Sequence, residues 1–228
     1  MPSSIELLKK KGKFPVVIAS IIPESPEQIK GVMQKLNSIG SVVPEIRYDL
    51  MKSASMEDKI HILDILNESF SNMITTFREN DMDKAADFYS QALMKKGNII
   101  DVDFSLVNKI GIKLPPDRTL VSVHITNKAP VLDIIDAVFQ QGFRAVKVAI
   151  KGSEDAFLGL CRDISNIRKE RDILSLIPMG ENSGIHRLIS SLTVSDFTYT
   201  KFGNETGEGQ LNYETMLKII DLLDGSMH

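Results

Sequence analysis

Lys147 stands inside "FRAVKVAIKG", residues 143 to 152, a run otherwise dominated by alanine and β-branched residues. On a period of two, Phe143, Ala145, Lys147 and Ala149 share one face, and Arg144, Val146, Val148 and Ile150 share the other. A strand buried on both faces reads as a near-continuous apolar run, and an ammonium inside one is costly unless it is paired or neutral. Its same-face neighbours are small, which leaves room beside the amine for a ligand. A desolvated amine is what Schiff-base chemistry needs. A lysine at the strand's end, snorkelling to water, would leave the same letters. Other strand-like segments carry polar groups in the same rhythm. Glu45, Arg47 and Asp49 share a face of "PEIRYDL", Thr76 and Arg78 of "ITTFR", Asp101 and Asp103 of "IIDVDF", and Ser122 and His124 of "LVSVHI". A structural ion-pair layer would produce this pattern. With a histidine and a lysine on adjacent strands, it reads as a polar catalytic pocket. Asp101 and Asp103 resemble a metal pair, but no histidine or further carboxylate follows them at ligand spacing, so no metal is assigned.

The segments that must position these residues alternate in type. Strand-like "FPVVIASI" leads to a helix opening at "SPEQIKGVMQKL", where Ser25, Pro26 and Gln28 form a capping signal and Gly40 suits the far end. The alternation continues through strand "VVPEIRYDL", helix "SMEDKIHILDILNESF", strand "NMITTFR", helix "DKAADFYSQALMKKG" and strand "NIIDVDF". A short helical piece, "LVNKIGI", leads to strand "TLVSVHI", helix "APVLDIIDAVFQQG" and strand "RAVKVAI". Helix "SEDAFLGLCRDISNIRKE", strand "ILSLIPM", a helix around "GIHRLISSL", strand "DFTYTKF" and helix "NYETMLKIIDLLDG", capped by Asn212, complete the chain. Eight strands, each followed by a helix over short connections, predict a parallel sheet and an α/β fold. Eight is the count of a single-domain (β/α)8 barrel across residues 1–228. An open doubly wound sheet usually has a glycine-rich turn after its first strand, and "IIPESPEQ" has no glycine. In such barrels chemistry sits at the C-terminal strand ends, where the polar positions above cluster.

Bulk properties narrow the class. The 228 residues are 43% hydrophobic and 25% charged, enough apolar mass for a sizeable core. A net charge of −3 with both signs interspersed gives no basic face for nucleic acid or membrane. The single Cys161 excludes an internal disulfide framework. With no apolar run of membrane length and no signal-peptide core at the start, a cytoplasmic setting is expected.

The ordered set "EIRYD", "TTFR", "SVHITNKAP", "VKVA", "MGENSGIHRL" and "GEGQL" resembles the type I 3-dehydroquinate dehydratase family, the Schiff-base enzymes of the shikimate pathway, from about residue 14 to the end. The resemblance implies a syn dehydration of 3-dehydroquinate to 3-dehydroshikimate with no cofactor. Lys147 would form the imine with the substrate ketone, and His124 would be the general acid/base. It further implies that Glu45, Arg47 and Arg78 clamp the polyhydroxylated ring and that Arg187 holds the substrate carboxylate through a charge-assisted fork. Thr206 and Gln210 would lie on a loop closing over the substrate. The family suggests a homodimer.

Three features depart from the family's pattern. The loop after the third-strand arginine usually bears a glutamate that orients the catalytic histidine. Here it reads "REND", leaving Glu79, Asp81 or Asp103 as the orienting group. The loop's usual Ala-Pro is Gly207-Glu208, which predicts a more flexible, more acidic lid. His186 replaces a serine beside Arg187 and reads as a helix residue at the pocket's edge rather than a second base. Two other readings share parts of this pattern. A class I Schiff-base aldolase would keep Lys147 without needing the His124–Arg187 combination. A catalytically weakened barrel would only bind a hydroxy-acid ligand.

Overall fold

Short β-branched strands with apolar residues on both faces can be satisfied only by cover on both sides, and the chain provides it by rolling one sheet into a barrel inside a helical jacket. The computed structural model describes residues 4–23, 25–39, 42–125, 130–151, 154–170, 172–180 and 183–225. In chain order the elements are β1 (Val16–Ile21), α1 (Pro26–Ile39), β2 (Val43–Arg47), α2 (Met56–Ser69), β3 (Met73–Thr76), α3 (Met82–Met94) and β4 (Asn98–Asp103). There follow β5 (Thr119–Ile125), α4 (Val131–Gln140), β6 (Ala145–Ile150), α5 (Glu154–Ile167), β7 (Ile173–Pro178), α6 (Gly184–Thr193), β8 (Phe197–Lys201) and α7 (Tyr213–Gly225). The strand order is β7-β6-β5-β4-β3-β2-β1-β8, with every pairing parallel. This is the (β/α)8 barrel the sequence predicts. Among the described residues no helix is long and apolar enough to cross a membrane.

The ring closes between β7 and β8 by a seam rather than a full ladder. The Asp196 N–H donates to Leu174 O at 2.7 Å, and the Leu174 N–H returns a bond to Asp196 Oδ2 at 2.9 Å. The Leu176 N–H donates to Ser195 Oγ at 3.0 Å. Arg168 reaches across from the end of α5 to pair with the wholly buried Asp196 carboxylate.

Inside the barrel, Ile18, Ile74, Ile99, Leu120, Ala145, Ile173 and Phe197 form an apolar floor, sealed from below by Ile5 and Leu8 of an N-terminal 3-10 turn, Ser4–Leu8. The polar side chains gathered around Lys147 stand above this floor, towards the C-terminal strand ends. Helix starts follow their capping residues. Ser55 and Asp58 form a reciprocal box at α2, Asp81 caps α3, and Asn212 Oδ1 accepts from the Glu214 N–H at α7. Ser25 Oγ accepts from the Gln28 N–H at the start of α1, while Gly40, assigned to that helix's far end, lies outside the described residues.

Two expectations need correction. "LVNKIGI" is not helical. It forms successive turns, with Leu106 N–H bonded to Asp103 O and Lys109 N–H to Leu106 O, so seven helices rather than eight flank the described strands. Gly111 has φ +75°, and the prolines at 115 and 116 supply no donors, so helix propagation fails despite the spacing of the apolar residues. The second strand ends at Arg47. Asp49 sits on a 3-10 turn, Tyr48–Leu50, and curls back onto Arg47 instead of continuing the strand face.

Removing the Asp196 carboxylate leaves Arg168 and the Leu174 N–H without their partner at the seam. Asp196→Ala is expected to lower the unfolding free energy by about 3–5 kcal/mol, measured by urea denaturation.

Candidate active site

Lys147 is in the middle of β6, 5% exposed, and in register with Ser122 on β5 and Ser175 on β7. It does not snorkel. Its Nζ pairs with Asp101 of β4, lies 3.8 Å from Glu45 Oε1 of β2, and sits 4.6 Å from the ring centroid of Tyr199 on β8. An ammonium at this depth is tolerated because carboxylates and an aromatic face replace its water. Burial pushes the Asp101 carboxyl up, but the charges of Lys147 and Arg78 outweigh it and hold the group at about 2. Arg78, beyond the end of β3, approaches the same Asp101 oxygen at 3.9 Å.

Glu45 is held from both sides. Thr76 Oγ1 donates to one oxygen at 2.8 Å and Ser20 Oγ to the other. Thr206 Oγ1 lies 2.8 Å from Ser20 Oγ and 2.8 Å from Gln210 Oε1. A chain of hydroxyls therefore links the loop after β8 to the carboxylate beside the lysine. Arg47 fixes the same loop. It forks onto Asp49 and donates to Thr206 O at 2.9 Å.

Arg187 of α6 is buried and donates to Glu208 O at 2.7 Å, while its Nε has no protein partner. Burial lowers its guanidinium to about 10 against the opposing charge of Glu205. A cation so placed suits an incoming anion. The loop is brought close by Gly209, whose φ is +70° and where a Cβ would fall 2.1 Å from Ser183 Oγ and 2.7 Å from Gly180 O. Only glycine fits that approach.

His124 stands at the mouth on β5, two residues beyond Ser122. Its Nδ1 is 3.2 Å from Asp103 Oδ2. Partial burial opposes the Asp103 charge, but hydrogen bonds from His124 and Ser105 keep its carboxyl well below the usual range. Of the other carboxylates considered for this place, Glu79 accepts from the Asn80 N–H and Asp81 caps α3. His186 packs edge-on against Phe157 of α5, at 5.2 Å between centroids.

The barrel thus gathers Glu45, Arg47, Arg78, His124, Lys147, Thr206, Gln210 and, through the loop, Arg187 at one end. Sequence reasoning overlooked Ser20 and Tyr199, and it did not identify Asp101 as the lysine's partner. Ser20 had a signal, as the lone hydroxyl in the buried "VVIASI". Of the quoted motifs, residues 126–129 and 181–182 lie outside the described residues. Chemically, the arrangement offers an amine in a water-poor pocket, an imidazole above it and a buried cation for an anionic group.

A sequence model of the type I 3-dehydroquinase family matches residues 17–227. A 3-dehydroquinate dehydratase from Thermoplasma volcanium is 28% identical over 203 residues, spanning 87% of this chain and 85% of that protein. One from Thermoplasma acidophilum is 27% identical over 207 residues, spanning 87% and 89%. The crystal structure of 3-dehydroquinate dehydratase from Geobacillus kaustophilus superposes with a TM-score of 0.73 at 15% identity, over 94% of this chain and 93% of that one. The type I enzyme from Clostridium difficile with a covalently modified comenic acid gives 0.71 at 17% identity, over 94% of each chain. At these identities the solved structures speak for the fold.

The Asp101 carboxyl, at about 2 in the folded protein, lies below the ~3.9 of an unfolded chain. Its contribution to stability is therefore complete above about pH 4 and is lost as pH falls through about 2. Lys147→Met, which strands Asp101 without its cation, is expected to be about 3–5 kcal/mol less stable at neutral pH. It should also lose less on acidification than the wild type, as read from urea unfolding at a series of pH values.

Proposed function

The chain belongs to the type I 3-dehydroquinase family, a family of lyases, and from that premise we propose that it dehydrates 3-dehydroquinate through an imine on Lys147. The observation that carries this reading is the buried lysine paired with Asp101 beneath a carboxylate-linked histidine. The Lys147 amine adds to the substrate ketone and expels its oxygen as water, leaving a protonated imine. That cation draws electrons from the adjacent C–H bond, and His124 takes the proton to give an enamine. The enamine pushes out the hydroxyl one carbon further on, with His124 returning its proton so that water leaves. Hydrolysis of the imine then frees Lys147 and the unsaturated product. The iminium carries the same charge as the ammonium it replaces, so Asp101 remains paired throughout.

Binding follows the same geometry. Arg187 takes the substrate carboxylate, and Glu45, Arg47 and Arg78 border the ring. Ser175 Oγ and Tyr199 OH, buried without protein partners near Lys147, are available to ring hydroxyls. Thr206 and Gln210 close the loop over them. A cytoplasmic homodimer in the shikimate pathway completes the proposal.

Borohydride reduction in the presence of 3-dehydroquinate is expected to give a stable adduct on the Lys147 peptide at the mass of the dehydrated species. His124→Asn should trap the undehydrated mass instead, and Lys147→Ala no adduct. An unmodified wild type under these conditions rejects the imine mechanism. Arg187→Ala is expected to raise KM by roughly 10- to 100-fold, from the loss of about 1.5–3 kcal/mol of charge-assisted hydrogen bonding. Steady-state kinetics measure it.

A further inference from the structure

We propose that Asp103 is a positioning residue that sets the tautomer of His124, and that Ser105 determines which carboxylate oxygen does so. The inference rests on the dehydratase reading above for its kinetic consequence, but its structural content stands apart from it.

Asp103 ends β4 and is in register with Ser122, the residue two before His124 on the neighbouring strand. Its two oxygens have separate partners. Oδ1 accepts from the Ser105 N–H at 2.9 Å and from Ser105 Oγ at 2.7 Å, while Oδ2 faces His124 Nδ1 at 3.2 Å. An ionised carboxylate only accepts, so the proton of a neutral imidazole lies on Nδ1 and the lone pair on Nε2. That is the form in which Nε2 can take a proton from carbon. Once it has done so, the Asp103 charge stabilises the imidazolium. Asp103 therefore acts through His124 and needs no contact with substrate. The turn that replaces the expected helix after β4 is part of this device, because Ser105 is its second residue.

Asparagine at position 103 tests the assignment with almost no change of volume. A backbone N–H cannot accept, so Ser105 keeps the amide oxygen on its own side. The amide NH2 is then turned towards Nδ1, donates to it, and moves the imidazole proton to Nε2, where it blocks the base.

The experiment reads the tautomer directly, by long-range 1H–15N correlation on histidine-labelled protein at a pH where the ring is neutral. The chain has four histidines, and His124→Asn identifies the signal. The wild type should show the Nδ1–H form and Asp103→Asn the Nε2–H form. The same tautomer in both proteins overturns the proposal, whether or not either turns over 3-dehydroquinate. Kinetically, Asp103→Asn should lose about 100-fold or more in kcat with KM within about threefold. It should still give a borohydride adduct at the undehydrated mass, and Asp103→Glu should recover much of the rate. A kcat within about threefold of wild type, or loss of the trapped adduct together with the rate in a folded variant, also overturns it. A tautomer switch in a protein that never reacts with 3-dehydroquinate supports the positioning role and rejects only the dehydratase reading.

Discussion

The ion pair between Lys147 and Asp101 is the constraint around which the interior is arranged. Taking two charges out of water costs several kcal/mol for each unless they meet at close range with their remaining hydrogen-bonding capacity satisfied. The barrel meets the first condition across three strands, with the lysine on β6, its carboxylate on β4 and Ser122 of β5 between them, and leaves Asp101 Oδ1 without a hydrogen-bond partner among the described residues. Alanines at 145 and 149 keep the lysine's own face open. Glu45 adds a second negative charge, held by Thr76 and Ser20. Its line of hydroxyls runs to Thr206 on the covering loop, so loop position and the field at the amine are mechanically joined.

Strand alternation places the rest. Asp101 and Asp103 are two residues apart on one strand and so face the same way at different heights. The lower one meets the lysine and the upper one the histidine. A single local pattern, Asp-Val-Asp, thus partners both the amine and the imidazole without a loop having to supply either carboxylate. Below them the apolar floor and the plug of Ile5 and Leu8 exclude water from the opposite end. The low-dielectric surroundings of the ion pair come from that packing.

How legible this was follows from where each signal resides. Strand number, order along the chain and the facing of Lys147 are properties of local periodicity, and the barrel bore them out. Which carboxylate meets the lysine depends on the stagger between strands, and no linear pattern encodes it. Asp101 and Asp103 were equivalent on paper. Asp49 misled because a period of two continues through Tyr48 and Leu50 while the backbone has already tightened into a 3-10 turn. "LVNKIGI" misled for the opposite reason. Its apolar spacing suits a helix, but the bonds from Ser105 to Asp103 and the positive φ of Gly111 commit the backbone to turns. Ser20 was hidden by its surroundings, since one hydroxyl in a buried strand says little until the residues across from it are known.

The seam between β7 and β8 has a consequence for how the molecule fails. An eight-stranded sheet rolled until its edges meet has two edge strands, and an edge strand offers its open hydrogen-bonding groups to any neighbouring chain. Here Ser195 and Asp196 occupy those groups on β7 with side chains, blunting an edge whose sequence is "ILSLIP" and whose residues are all buried. When the seam opens under heat or denaturant, the first surface bared is an apolar strand with free amides. Aggregation through strand addition between molecules then competes with refolding, at a rate that rises with protein concentration.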